Sequence, residues 1–234
     1  MVRTKISALF AMVAFGVVAG SAVAALAQDV VPQTAAISAP AEEAGPEQPK
    51  PATVRVALQT TAGPIVLELE EERAPITTAN FLRYVDAKRF DGQKFYRALN
   101  MAKDFGLIQA GVRELKPGDK PLPPAIAHEP TTLTGLSHKT GAISMARREE
   151  GTAQSDFFIV VGDMSSLDAH PEKPGDNSGF AVFGHVVEGM DVVRAIMTAK
   201  IDPAKGAEDG MAGQILAEPV KIMTARRVEA PAPQ

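Results

Sequence analysis

The sequence predicts a mainly β domain, a barrel or a sandwich, in which helices are few. Three observations support this prediction. The chain contains seven or eight short strand-like segments, turns bound most of them, and only two segments have apolar residues at helical spacing. Strands and helices do not alternate along the chain as they do in βαβ units, so a parallel sheet is not expected.

The N-terminal residues 1–27 have the composition of a secretory signal peptide. A basic start (Arg3, Lys5) precedes an uncharged apolar run, which closes on Ala25-Leu26-Ala27. An uncleaved membrane anchor is the alternative, because the run is about long enough to span a bilayer. We expect export to a bacterial periplasm, with anchoring by an uncleaved N-terminal helix as the alternative.

The regions that flank the alternating segments are rich in proline and alanine. Residues 28–52 lack apolar periodicity and predict a disordered linker, and residues 229–234 predict a disordered tail. The folded domain is therefore expected over residues 53–228. Once the leader is cleaved, we expect no stable insertion in a membrane.

Composition excludes several classes of function. The sequence contains no cysteine, which rules out disulfides, thiol catalysis and thiolate metal sites. The formal net charge is −4 for the whole chain, and loss of Arg3 and Lys5 with the leader makes it −6. Because a mildly acidic chain without a basic stripe binds nucleic acid poorly, we expect no nucleic-acid partner.

The first elements are a hairpin and a helix. Alternation over 54–59 and 65–70 flanks a Gly-Pro turn and predicts two paired strands. The acidic run 70–72 can suggest a metal site, but a solvated strand end is the simpler interpretation. Pro75 then suits the first turn of a helix whose apolar stripe includes Phe81.

The middle and end of the chain contain the remaining predicted elements. Segment 95–111 predicts a strand pair that carries an arginine, Arg97, beside aromatic residues and a glutamine, Gln109, among apolar ones. A guanidinium against apolar walls is costly unless something requires it there. Further strands are expected over 142–146, 157–161, 180–189 and around 220–224, and a second helix over 189–199.

Several catalytic patterns are missing from the sequence. The four histidines are far apart and form no H-x-x-x-H pair, and no P-loop, dinucleotide fingerprint or G-x-S-x-G elbow occurs. Ser137 beside His138 does not indicate a catalytic triad, because chain neighbours usually point apart. His138, flanked by glycines, is interpreted as a turn residue.

Six segments, in order, resemble the cyclophilin family of peptidyl-prolyl isomerases over about residues 53–227. The resemblance is carried by Thr61-Ala62-Gly63 with the helix after Ala74-Pro75, Phe95-Tyr96-Arg97, Leu107-Ile108-Gln109-Ala110-Gly111, Ile143-Ser144-Met145-Ala146, Ser155-Asp156-Phe157-Phe158-Ile159, and Val182-Phe183-Gly184 through Met190. The resemblance implies a closed eight-stranded antiparallel barrel capped by two helices, with the site on its outer wall.

The same resemblance implies roles for individual residues. Arg97 is expected to be the catalytic arginine that stabilises a twisted prolyl amide, and Gln109 its orienting partner. The residues expected to contact substrate are Phe158, Leu107 and Leu167 around the proline ring, Ala146 and Arg147 through main-chain groups, and Asp156, Phe180 and Phe105. The implied partners are proline-containing polypeptide clients bound by a monomer, and the implied chemistry requires no cofactor and no metal.

The chain departs from the family pattern at several positions of this site. Tyr96 replaces a histidine, Asp156 replaces a glutamine, and four additional residues separate Arg97 from Gln109. Gly106 stands where a pocket phenylalanine is usual, and we expect Phe105 to fill the gap if the loop is reshaped. Two further departures are Phe180 and Ser166. Phe180 falls near the position of a pocket histidine in the family, and Ser166 stands where some members have a tryptophan that helps to bind cyclosporin.

These departures predict weak cyclosporin binding and turnover below that of typical members. Two alternatives to an isomerase of exported proteins remain open at this point. One is a proline-recognising chaperone or binding module with little turnover, and the other is a structural β-domain tethered by the linker.

Overall fold

The computed structural model describes residues 51–115, 117–208 and 210–229. The predicted signal peptide, nearly all of the predicted linker and the tail after Glu229 lie outside the described residues. The strands are β1 Thr53–Thr60, β2 Gly63–Glu70, β3 Lys94–Ala102, β4 Phe105–Gly111, β5 Ala142–Met145, β6 Phe157–Val161, β7 Val182–Glu188 and β8 Ile215–Val228. The helices are α1 Pro75–Asp86, α2 Thr131–Thr134 and α3 Met190–Met197, with a 3₁₀ turn at Ser165–Leu167.

The eight strands form one closed antiparallel barrel in the order β1-β2-β7-β5-β6-β4-β3-β8. The predicted barrel is thereby confirmed, and the sandwich alternative is excluded. Strand alternation explains the core, because inward positions such as Val56, Leu58 and Ile65 are fully buried. Strand β8 pairs with both β1 and β3, and so closes the barrel.

Helix α1 begins at Pro75 as predicted, and its first turn is capped from a distant loop. The buried carboxylate of Glu129 accepts hydrogen bonds from the backbone N–H of Ile76 through Oε1 (3.1 Å) and from the backbone N–H and hydroxyl of Thr77 through Oε2 (2.7 and 2.6 Å). Negative charge at a helix N-terminus is favourable. Within the described ranges, no helix is both long and apolar enough to cross a bilayer.

Two elements differ from the sequence prediction. The four-residue helix α2 was not predicted, because a single turn is too short to establish a helical period. Strand β8 has 14 residues instead of the short strand expected around 220–224. Its pairing with β3 is irregular between Phe95↔Val220 and Arg97↔Ile215, and Pro219, which lacks an N–H donor, lies in this irregular part.

The hairpin of β3 and β4 carries the centre of the predicted site. Arg97 lies opposite Gln109, and the pairing continues through Leu99↔Leu107 to the turn that includes Asp104. The four additional residues therefore lengthen a paired hairpin, in which the register shifts twice, and not an unpaired loop. Gly106 is required in it, because a Cβ there would lie 1.9 Å from the carbonyl oxygen of Leu99. A phenylalanine cannot occupy this position.

Candidate active site

The pairing register brings the central residues of the site into one row across neighbouring strands. Arg97 is opposite Gln109, Gln109 is opposite Phe158, and Phe158 is opposite Ser144. Directly opposed residues of paired strands project to the same side of a sheet. The row lies on the outside of the barrel, since the alternate positions on these strands fill its interior.

Two amide oxygens hold the guanidinium of Arg97. Its Nη1 donates to Oε1 of Gln109 at 2.7 Å, while Nε and Nη2 both donate to Oε1 of Gln214 at 2.8 and 2.5 Å. Burial lowers the pKa of Arg97, but the guanidinium remains charged because its ordinary value lies far above neutral pH. The site thus contains a fixed, partly desolvated cation whose partners are neutral.

Gln109 connects Arg97 to a second chain of hydrogen bonds. Its Nε2 donates to the hydroxyl oxygen of Tyr96 at 2.6 Å, and this hydroxyl donates to Oδ1 of Asp156 at 2.8 Å. Burial, followed by the charge of Asp156, raises the pKa of Tyr96, so the phenol keeps its proton. The guanidinium of Arg113 lies 4.9 Å from the centre of the Tyr96 ring. The side-chain amide of Gln109 is therefore fixed at both ends.

An apolar pocket adjoins Arg97 in a groove of about 1060 Å³. The ring of Phe158 meets the ring of Phe180 edge to face, with centroids 5.5 Å apart, and Leu107, Met164 and Leu167 pack in the same cluster. A compact apolar ring, such as that of proline, suits these walls. Charge and apolar surface thus lie side by side in one groove.

Most of the predicted site residues line this groove. They are Arg97, Leu107, Gln109, Ala146, Arg147, Asp156, Phe158, Leu167 and Phe180. Phe105 is not among the residues that line the groove, and its expected contact with substrate stays a prediction. Its ring packs against the edge of the apolar cluster and lies over Gly162, in space that the missing Cβ leaves free.

Ala146 and Arg147, which were expected to offer main-chain groups to a substrate, also form hydrogen bonds within the protein. The N–H of Ala146 donates to the carbonyl of Asp156 at 2.8 Å, so this N–H already has an acceptor within the protein. The guanidinium of Arg147 binds both oxygens of Asp176 and the carbonyl of Gly179, and it lies 5.3 Å from the ring centre of Phe180. The side chain of Arg147 thus supports one wall of the pocket.

Comparison with known proteins identifies the family. Residues 55–226 match the family model described as cyclophilin type peptidyl-prolyl cis-trans isomerase/CLD. The chain belongs to this family. The cyclophilin is 37% identical over 169 residues to peptidyl-prolyl cis-trans isomerase cyp18 of Streptomyces antibioticus, covering 72% of its own length and 98% of that protein. It is 33% identical over 178 residues to peptidyl-prolyl cis-trans isomerase A of Dickeya dadantii, and this match covers 76% of its own length and 86% of that protein.

A solved structure with the same fold is the cyclophilin type peptidyl-prolyl cis-trans isomerase of Cryptosporidium parvum. It superposes on this cyclophilin with a TM-score of 0.59 at 18% identity, covering 77% of this chain and 100% of that one. The likeness agrees with the closed barrel. The family and its relatives make this chain an enzyme, a peptidyl-prolyl cis-trans isomerase.

Behind the pocket of this cyclophilin lies a buried polar network that the sequence did not indicate. His138 is fully buried, not a turn residue, and its ring stacks on Phe158 with centroids 5.8 Å apart. Its Nδ1 contacts Oδ1 of Asp168 at 2.6 Å, and its Nε2 contacts Oγ of Ser144 at 3.0 Å. Asp168 also accepts a hydrogen bond from the hydroxyl of Ser137.

The protonation states in this network follow from burial. Burial lowers the pKa of His138 more than the carboxylate of Asp168 raises it, so the imidazole is neutral near pH 7. Burial opposes ionisation of Asp168, but its hydrogen bonds from Ser137 and His138 outweigh this and lower its pKa. Nδ1–H therefore donates to Asp168, and Nε2 accepts from Ser144. Because Ser144 is fully buried, its hydroxyl cannot attack a substrate.

Gln214 is the second residue of the site that sequence reasoning missed. It follows a loop rich in glycine and acidic residues and lies in none of the segments that resemble the family motifs. Its partner Arg97 is 117 positions away. No local pattern could have indicated this contact.

Proposed function

We propose that this cyclophilin accelerates rotation about X-Pro bonds in exported polypeptides, and that Arg97 stabilises the twisted amide. One observation carries the proposal. The charged guanidinium of Arg97, held by Gln109, shares a groove with the apolar walls formed by Leu107 and Phe158. Such a groove suits a proline ring with its peptide bond beside the cation.

The chemistry follows from the electronic structure of the prolyl amide. Rotation is slow because the resonance that gives the C–N bond its partial double-bond character must be lost, with a barrier of about 18–20 kcal/mol. In the twisted state, the prolyl nitrogen regains its lone pair and accepts hydrogen bonds. A guanidinium that donates to this nitrogen binds the twisted state better than either planar state, and the reaction is accelerated by differential binding.

The required energy is within reach of these groups. A thousandfold acceleration needs about 4 kcal/mol of transition-state stabilisation. Hydrogen bonds from a charged donor contribute about 1.5–3 kcal/mol each in a partly desolvated site. Gln109 keeps the guanidinium of Arg97 oriented toward the prolyl nitrogen. Phe158 holds the proline ring while the carbonyl of the residue before proline rotates. The proposed reaction makes and breaks no covalent bond.

The proposed clients are proline-containing segments of exported proteins during their folding. The support for export is the signal-peptide pattern of residues 1–27, followed by the linker composition of residues 28–52. We propose a monomer in the periplasm. Export with cleavage of the signal peptide is tested by the intact mass of the protein recovered from the periplasm. The mass should correspond to a chain that lacks residues 1–27. An unshortened mass in the membrane fraction would favour the anchored alternative.

An exchange experiment on an Ala-Pro peptide tests the role of Arg97. An Ala-Pro dipeptide was present in crystals of the Cryptosporidium relative, which supports this choice of substrate. We expect wild-type protein to accelerate exchange measured by NMR, and Arg97→Ala to lose about a hundredfold or more in kcat/KM. Arg55→Ala is the matched control, since Arg55 pairs with Glu68 on β1–β2 and does not line the groove.

The outcomes separate the competing functions. Equal acceleration by wild type and Arg97→Ala would reject the proposed mechanism. Peptide binding without acceleration by the wild type would favour the chaperone or binding module instead. Loss of activity in Arg55→Ala as well would point to a general effect of removing a strand arginine.

A further inference from the structure

The connection between α3 and β8 provides a second partner of the proposed catalytic arginine. Gln214 is the last residue of this connection, directly before β8. Its Oε1 accepts two hydrogen bonds from Arg97, at 2.8 Å from Nε and 2.5 Å from Nη2. The connection also contributes Glu208 and Met211 to the groove.

The main chain of Gln214 is anchored on both sides. Its carbonyl accepts from the N–H of Ala98, the neighbour of Arg97, at 2.9 Å, and its N–H donates to the carbonyl of Met211 at 3.0 Å. The N–H of Met211 in turn donates to the carbonyl of Gly206 at 2.7 Å. The backbone of Gln214 is therefore fixed beside Ala98, the neighbour of Arg97 on β3. From this position, its side-chain oxygen Oε1 reaches the guanidinium of Arg97.

The two glutamines divide the donors of Arg97 between them. Within the described part of the chain, three of its five N–H groups are bound by amide oxygens: Nη1 by Gln109, and Nε with Nη2 by Gln214. One N–H on each terminal nitrogen remains available to a ligand. Because an amide oxygen is neutral, this clamp fixes the guanidinium without cancelling its charge, as a carboxylate would.

We propose that Gln214 is a positioning residue, which acts through Arg97 to aim its free N–H groups at the prolyl nitrogen. This inference rests on the proposed role of Arg97. If the clamp is loosened, Arg97 retains its charge but samples other orientations, and the contact made only in the twisted state weakens. The effect is therefore expected in kcat and not in substrate binding.

The experiment compares Gln214→Leu with a control on the same connection. Leucine is similar in size but cannot accept a hydrogen bond. We expect kcat to fall about tenfold, while the affinity for an Ala-Pro peptide and the melting temperature stay close to those of wild type. Lys205→Ala is the control, because Lys205 is exposed, pairs with Asp202 and does not line the groove.

The NMR signal of the Arg97 side-chain Nε–H gives a readout that a structural role would not change, once it is assigned with Arg97→Ala. We expect this signal to move in Gln214→Leu and to return toward its wild-type position in Gln214→Glu, which restores an acceptor. Unchanged kcat in Gln214→Leu, or an unmoved signal, would overturn the inference. An equal loss in Lys205→Ala would also overturn it, since the cause would then be the loop conformation.

The two proposals fail in different ways. If Arg97→Ala is as active as wild type, the mechanism itself is wrong. If Arg97→Ala is inactive and Gln214→Leu is fully active, only the role of Gln214 is rejected.

Discussion

The hydroxyl of Tyr96 donates a hydrogen bond to Oδ1 of Asp156 at 2.8 Å. Both residues depart from the pattern expected of a cyclophilin, which has a histidine and a glutamine at these positions. Asp156 thus supplies the acceptor that the partly buried phenol of Tyr96 needs. This contact also ties Asp156 to Arg97 through Gln109.

Tyr96→Phe tests this chain of hydrogen bonds. The variant removes the acceptor of Gln109 Nε2, so the amide that orients Arg97 loses one of its two anchors. A hydrogen bond of this kind is worth about 1 kcal/mol, and we expect a fall of about fivefold in kcat/KM in the NMR exchange assay. Asp156→Asn, which keeps an oxygen acceptor for Tyr96, should lose much less. Equal losses in both variants would show that charge at position 156, not the orientation of Gln109, matters.

The carboxylate of Glu129 is expected to stabilise the fold by capping α1. Glu129→Gln replaces one of the two acceptor oxygens with an NH2 group, so that either the N–H of Ile76 or the N–H of Thr77 loses its acceptor. We expect the free energy of unfolding in urea to fall by about 1–3 kcal/mol, because a buried donor is left unpaired. Glu114→Gln is the control: its side chain is 75% exposed and pairs with Lys94 at the surface. A change in Glu129→Gln no larger than in this control would contradict the prediction.

His138 predicts a pH dependence of stability. Its pKa is lowered in the folded protein, so below its ordinary value of 6.5 the unfolded chain binds a proton that the folded chain does not. The free energy of unfolding should therefore decrease as the pH falls from 7 to 5, and it should decrease less in His138→Gln. Denaturation at several pH values measures both slopes. His185→Gln removes a half-exposed histidine and serves as the control. Parallel slopes for wild type and His138→Gln would contradict the prediction.

Cyclosporin binding should be weak, because the groove has a serine where some family members have a tryptophan. Ser166 lies in the 3₁₀ turn at the rim of the groove beside Leu167. Ser166→Trp adds a large apolar surface there, and we expect it to raise the affinity about tenfold or more in a calorimetric titration. Tight binding by the wild type would contradict this prediction directly. Ser165→Trp, on the preceding residue outside the groove lining, controls for a nonspecific effect of tryptophan.

Local patterns in the sequence predicted a barrel or a sandwich, and the resemblance to the family implied a closed barrel with the site on its outer wall. Alternation with a period of two specified which residues of β1 and β2 are buried, as Val56 and Ile65 illustrate. The segments that resemble the family then indicated Arg97, Gln109 and Phe158, which the strand register aligns. The prediction of buried strand positions was confirmed because side-chain period is a property of short stretches of chain.

Only the tertiary structure decided which distant groups complete the site. Gln214 reaches Arg97 because β8 closes the barrel beside β3, and His138 lies behind Phe158 because Asp168 and Ser144 hold its ring there. Phe105 packs at the edge of the apolar cluster and lies over Gly162. Contacts of this kind join loops and strands far apart in the sequence. They depend on how the closed barrel brings its ends together, which no local periodicity records.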